Sequence, residues 1–359
     1  MPSFKSGNTG KEIYRYGNVG KYMYRYGTLV FQAVPEWRHS VLTSLSVARC
    51  RLMSAPLGSG AIVAGGQVSS IGYSNVVDYY DESKVRSTLT ALYNQVGYGA
   101  AAKVSTGAFV VSGSYSSYAR HNHYDLSRVR SVVTSANGQR LATAGASHGN
   151  GALFAGGLNS GTPTNLCYYL SEAKVLTTKT NLGTARGYLS AAPLAGGVAF
   201  FGGSTSNSGT DAVSVVDYYN ASFTRSTISA LAGTSWRNCA AQLGTGAIVA
   251  GGSDPYIQHY DNSLARTTIG NLAASGDYSM LTASECAQGV IISGGYQSKS
   301  AVFLIDLNNV ITTLDALSVG RHDLTSCRHG DGVLVAGGRT NSGTTISNLQ
   351  STVDFYEFK

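Results

Sequence analysis

The chain has 359 residues, a formal net charge of +7, and only 13% charged residues against 44 glycines and 23 tyrosines. That balance excludes coiled coil and long helices, and it suits an all-β chain with many turns. No apolar run is long enough for a membrane-crossing helix, and residues 1–7 lack the apolar stretch of a secretory signal, so membrane insertion is not expected.

Residues 1–35 stand apart. The phrase at 10–17 is echoed at 20–27, and both alternate, so that Tyr22, Tyr24 and Tyr26 share one face. The expectation is two short strands joined by a Gly-Asn turn, then a further run at 28–31. Two strands alone are marginal in water, so this tail needs a partner. Tyr14, Tyr16, Tyr22, Tyr24 and Tyr26 are its candidate docking residues. Residues 1–30 also carry Lys5, Lys11, Arg15, Lys21 and Arg25 against Glu12. The rest of the chain is nearly neutral, which argues against a nucleic-acid partner.

From Trp37 onward three phrases recur. A Thr- and Ser-rich phrase at 38–45 returns at 85–92, 129–136, 175–182, 224–231, 265–272 and 310–317. An apolar run bounded by glycine, at 60–66, returns at 107–114, 151–157, 197–203, 246–252, 289–295 and 332–338, spaced 43 to 49 residues apart. A tyrosine phrase follows each, with Tyr80, Tyr124, Tyr169, Tyr219, Tyr260 and Tyr356 matched and Ile305 the exception. Adding the strand that begins near Arg51 gives four strands per unit, here called a, b, c and d. The b run is apolar at successive positions, as in a strand buried on both faces. Four-stranded repeats of this length are propeller blades. The expected fold is therefore all-β: a seven-bladed propeller at 36–359 behind a docking tail at 1–35. The first d phrase precedes any complete unit and the last unit lacks one. Residues 38–43 should therefore pair with the strand around 352–356 and close the ring.

The repeat resembles the kelch family. An Arg stands before strand a (Arg49, Arg140, Arg186, Arg321; lost at Val96 and Ser235), a double glycine ends strand b, and an aromatic residue sits in strand c. The kelch Trp of strand d is replaced by Ser or Thr, as at Ser87, Thr88, Ser226 and Thr227. That departure resembles kelch-like proteins of bacteriophages and prophages of Gram-positive gut bacteria. The tyrosine-rich tail resembles short docking segments of phage tail proteins.

Spacing separates scaffold from site. The count from the end of strand d to strand b is 15 residues in six of seven units, whereas the b–c loop varies. Variable loops on a fixed scaffold are the usual place for binding. These loops span 67–74, 115–120, 158–164, 204–214, 253–256, 296–300 and 339–349. They are rich in Ser, Asn, Thr, Gly and Tyr, which suits sugar recognition. Tyr73, Tyr115, Tyr118, Trp236, Tyr256 and Tyr296 are the candidate ligand contacts. Changing Gly203 or Gly252 to Val should be costly, and Gly209 in its long loop should tolerate it.

No catalytic or metal site is expected. His121 and His123 share one side of a strand but lack further ligands. The repeated Arg residues brace turns, and Asp78 and Asp217 are structural. Cys50, Cys167, Cys239, Cys286 and Cys327 form no metal or disulfide spacing. No cofactor is expected. The functional expectation is a phage virion protein, tail-associated or a surface fibre, that binds a host-surface glycan or protein through the b–c loops. Residues 1–35 would dock to other virion proteins or self-associate. Such a protein assembles in the host cytoplasm and acts outside it. The alternatives are an intracellular kelch adaptor and a carbohydrate-active enzyme.

Overall fold

The computed structural model describes strands Phe4–Lys5, Glu12–Arg15, Lys21–Arg25 and Thr28–Gln32, and residues 36–359 apart from 112–118, 136–139, 273–277 and 342–345. The chain divides into a small unit, Met1–Arg38 with Glu357–Lys359, and a large one, His39–Tyr356.

In the small unit the four tail strands form one antiparallel meander in chain order. Tyr22 stands opposite both Tyr14 and Phe31, and Tyr24 opposite Leu29. The sequence pattern led to two strands and a third run; a short strand at Phe4–Lys5 completes four. Tyr16 and Tyr26 lie outside the described residues.

The large unit is a seven-bladed β-propeller. Blade 1 comprises strands a to d at Met53–Leu57, Gly60–Ala64, Val77–Tyr80 and Arg86–Thr88. Five further four-stranded sheets follow, with strand a beginning at Ala100, Ala144, Ser190, Cys239 and Thr282. Blade 7 takes Thr325–His329, Gly332–Ala336 and Val353–Phe358 from the end of the chain and Trp37–Leu42 from the beginning. The predicted closure is thus present. His39 Nε2 lies 2.7 Å from Asp354 Oδ1 across this seam. The a strands are neighbours in ring order and the first touches the last.

Every residue of strand b is buried in all seven blades, whereas strand a alternates between buried and partly exposed. Strand b therefore carries the core on both faces, and strand a turns one face to a central channel. The glycine pairs hold left-handed backbone: Gly203 has φ 103°, and a Cβ there would lie 2.7 Å from the Gly187 carbonyl of the neighbouring loop. Gly209 differs from expectation. It has φ 79°, and its Cβ would lie 2.4 Å from the Trp236 ring, so its loop is packed.

The strand-c tyrosines join neighbouring blades. Tyr80, Tyr124, Tyr219, Tyr260 and Tyr356 donate to the carbonyls of Thr43, Thr90, Thr180, Ser229 and Asp315 at 2.6–3.0 Å, each on the preceding blade. In blade 3 this place belongs to Leu170, which pairs with Ala152 as Tyr80 pairs with Ala61. Tyr169, matched to the series by sequence, pairs with Leu153 and points to the other side. A one-residue slip reverses the face in a strand.

The recurring Arg residues lie in the core. Arg186 donates to Asp217 at 2.7 Å and to the carbonyls of Gly202 and Phe200. Arg49 with Asp78 and Arg321 with Asp354 repeat the pairing. Where the Arg is lost the partner is neutral: Val96 accompanies Asn122, and Ser235 accompanies Gln258. These amides keep one duty of the carboxylates, accepting a loop N–H from Tyr93 at 3.0 Å and from Ala232 at 2.8 Å. The bracing and structural roles expected of these residues are what the geometry shows.

Candidate functional site

A ring of seven residues surrounds one mouth of the channel, two positions after each recurring Arg position. They are Arg51, Tyr98, Ala142, Tyr188, Arg237, Met280 and Asp323. Each N–H donates to the carbonyl of the member on the preceding blade at 2.7–3.2 Å, and Arg51 donates to Asp323 to close the circle. All seven have φ between 53° and 62°. Left-handed backbone costs a non-glycine residue about 1–2 kcal/mol, and glycine would avoid that cost. Glycine does stand in the a–b turns at the other end, where Gly58, Gly149 and Gly330 have open space around them. Side chains also hold left-handed backbone in the c–d turns, at Lys84, Arg128, Lys174, Phe223, Leu264 and Asn309, so this strain belongs to the repeat, and what distinguishes the mouth is which side chains it gathers.

These side chains form an arc of rings ended by guanidinium groups. Arg51 lies 4.2 Å above Tyr98, Tyr98 meets Tyr188 edge-on at 6.3 Å, and Tyr188 meets Trp236 edge-on at 5.5 Å. Arg237 closes the arc, 4.4 Å from the Trp236 ring and 4.9 Å from the Tyr188 ring. Tyr188 also donates to Asn207 of a b–c loop at 3.1 Å. Asp323 accepts from Arg51 at 3.1 Å and from Arg339 at 2.8 Å. Burial would raise its carboxyl, but Arg51, Arg237 and Arg339 outweigh this and hold it below the ordinary carboxylate range. Arg51 also donates to Gln67 at 2.7 Å. The space beside the arc is about 230 Å³. That is below the roughly 300–1,000 Å³ of drug-sized pockets, and the space opens to solvent.

Two of the six residues expected to contact ligand are near this arc. Trp236 is part of it. Tyr73 flanks it, bridged to Gln67 and packed on Gly97. Tyr296 turns its ring to His322 at 5.5 Å. Tyr256 begins a c strand opposite Asn271 and is not among the mouth residues. Tyr115 and Tyr118 lie outside the described residues. The loop survey missed Arg51, Tyr98, Tyr188, Arg237 and Asp323, because it followed length variation. Their signal was variation of side chain at one fixed offset from strand a.

His121 and His123 are buried and packed against rings: His121 stacks on Tyr168 at 5.4 Å, and His123 tilts on Phe109 at 4.8 Å. Among the described residues no group of three or more His, Cys, Asp or Glu could hold a metal ion. A single carboxylate lines the mouth cavity, and it is ion-paired.

No family model and no curated protein matches the chain. Many solved structures match its fold. One is a structure of YjhT, similar at TM-score 0.56 with 11% identity, over 87% of this chain and 95% of that one. Fold and neighbour together define a seven-bladed β-propeller.

Proposed function

We propose that this propeller is a saccharide-binding virion protein, a tail-associated or surface-fibre component that recognises the host envelope. One observation carries the binding half of this reading: the arc of Tyr98, Tyr188, Trp236 and Arg237 beside an open cavity of about 230 Å³. Aromatic faces accept the C–H faces of sugars, and the surrounding hydroxyl, amide and guanidinium groups accept and donate to sugar hydroxyls. The virion half is supported by the kelch repeat with its missing strand-d Trp and by the tyrosine-rich tail. In this reading residues 1–35 dock to a virion component and the mouth faces the host.

A glycan array probed with the full chain tests the proposal. Binding that is lost in Tyr188→Ala and Trp236→Ala, with melting unchanged, supports it. Binding to protein partners alone would favour the adaptor reading.

A further inference from the structure

We infer that the mouth selects a saccharide bearing an anionic group, a carboxylate or a phosphate, and that Arg237 seats that group. The inference rests on the saccharide reading above and specifies its chemistry.

Three guanidinium groups gather around one carboxylate at the mouth, so the site has an excess of positive charge. Two of the three are committed. Arg51 gives Nε to Asp323 and Nη1 to Gln67, and Arg339 gives Nε to the same oxygen of Asp323. Arg237 is different. Its guanidinium makes no hydrogen bond to a described residue, and its Nε is buried without a partner. It rests only on the faces of Trp236 and Tyr188. A guanidinium stacked by its face keeps its edge free, and that edge presents paired donors to two oxygens of an oxyanion. Asp323 attracts Arg237 through its charge but makes no hydrogen bond to it; its bonds from Arg51 and Arg339 both fall on one oxygen.

The arrangement is costly without a ligand. The side chain is partly withdrawn from water with an unmade hydrogen bond. Its own backbone stands at φ 55°, where glycine would be unstrained. An incoming oxyanion supplies the missing partner, and the adjoining Tyr188 and Tyr98 rings provide a floor for the sugar that bears it. The division of labour follows: Arg237 reads charge, and the rings read the sugar face.

The test uses the full chain and three probes: a galacturonic acid oligosaccharide, the neutral galactose oligosaccharide of matching length, and poly(glycerol phosphate). Isothermal titration at low salt should give at least one anionic probe about tenfold or more tighter binding than the neutral one, weakening as salt is added. Which anionic probe binds distinguishes carboxylate from phosphate recognition. Arg237→Gln should remove the preference for the anionic probe, so that anionic and neutral probes bind equally. Arg237→Lys keeps the charge and loses the fork, and should retain only part of the preference; it also serves if the Gln variant folds poorly. Equal binding of anionic and neutral probes, or an Arg237→Gln variant with its preference intact, would overturn the assignment. So would a failure of both anionic probes to bind. Neutral binding without charge preference overturns this inference alone, whereas silence across a complete glycan array overturns the saccharide reading with it.

Discussion

The repeats contain a natural mutant cycle that can be transplanted. Blade 1 holds Arg49 and Asp78, both fully buried; blade 2 holds Val96 and Asn122 in the same places. In Arg49→Val the Asp78 carboxylate keeps Arg86 at 3.1 Å and the Ser46 N–H but loses its buried counter-ion. Breaking a buried pair by removing one partner costs about 3–5 kcal/mol. The carbonyls of Gly65 and Val76 also lose donors at 2.8 Å. Adding Asp78→Asn removes the orphaned charge and keeps an acceptor for the Ser46 N–H, as Asn122 does for Tyr93. The unmet carbonyls and the freed Arg86 remain as costs, so recovery is partial. The double variant should therefore be more stable than Arg49→Val by about 2 kcal/mol, and the coupling energy is larger still by the cost of Asp78→Asn alone, well above the additivity error of roughly 0.5 kcal/mol. Denaturant midpoints of the four proteins measure it. A double variant whose loss equals the sum of the single losses would refute the reading of Arg and Asp as an exchangeable structural unit.

The seam of blade 7 should respond in the same way. His39→Ala removes a 2.7 Å bond to the buried Asp354 and a 4.8 Å stack on Tyr356, for a loss of about 2–4 kcal/mol. His39→Arg, the residue type that blades 1 and 4 use against Asp78 and Asp217, should restore most of it in thermal melts. Gly252→Val should cost several kcal/mol, since its Cβ would sit 2.0 Å from Ser235 Oγ and 2.9 Å from the Trp236 carbonyl. Gly58→Ala should cost only the backbone strain of about 1–2 kcal/mol, and equal losses would contradict the packing. Burial, aided by Arg140, lowers His121 to about 4, and burial also lowers His322 to about 4, with Arg339, Arg51 and Arg237 adding and Asp323 opposing. An unfolded His titrates near about 6.5. The unfolded chain then binds these protons first, so stability is full above that value and falls as pH drops toward 4. Melting followed across this window should show the fall, and His121→Phe should reduce it; an unchanged pH slope in that variant would remove His121 as a contributor.

Most of the scaffold was legible because its constraints are local and repeated. The run at residues 60–66 occurs seven times since every b strand is buried on both faces, and glycine recurs in the turn that ends it. Ring closure was legible from counting, because one d phrase precedes all the others and the last unit lacks one. The tyrosine series failed at Tyr169 for an equally local reason. Two aromatic residues stand side by side there, strand positions alternate in direction, and only pairing to Ala152 and Leu153 decides which one faces inward. Gly209 failed because a glycine in a polar loop looks unconstrained until the Trp236 ring, from a different blade, is placed against it.

The site was harder to read than the scaffold because its members are separated along the chain and joined by geometry. Arg51, Tyr98, Tyr188, Arg237 and Asp323 share no residue type and no common neighbour in sequence. They share only an offset of two from the recurring Arg position, and that position is itself Val96, Ser235 or Tyr278 in three of the blades. Length variation pointed to the b–c loops, which meet the ring through Gln67 and Asn207. It missed the ring itself, where the backbone is the same in every blade and the side chain alone changes. A repeat protein can vary a site in either way, by loop length or by substitution at a fixed strained position. The second leaves no gap in the repeat spacing to notice. At such a position the informative observation is the change of side chain from blade to blade, because the left-handed backbone itself is common to the repeat and recurs in the c–d turns at residues such as Lys84 and Arg128.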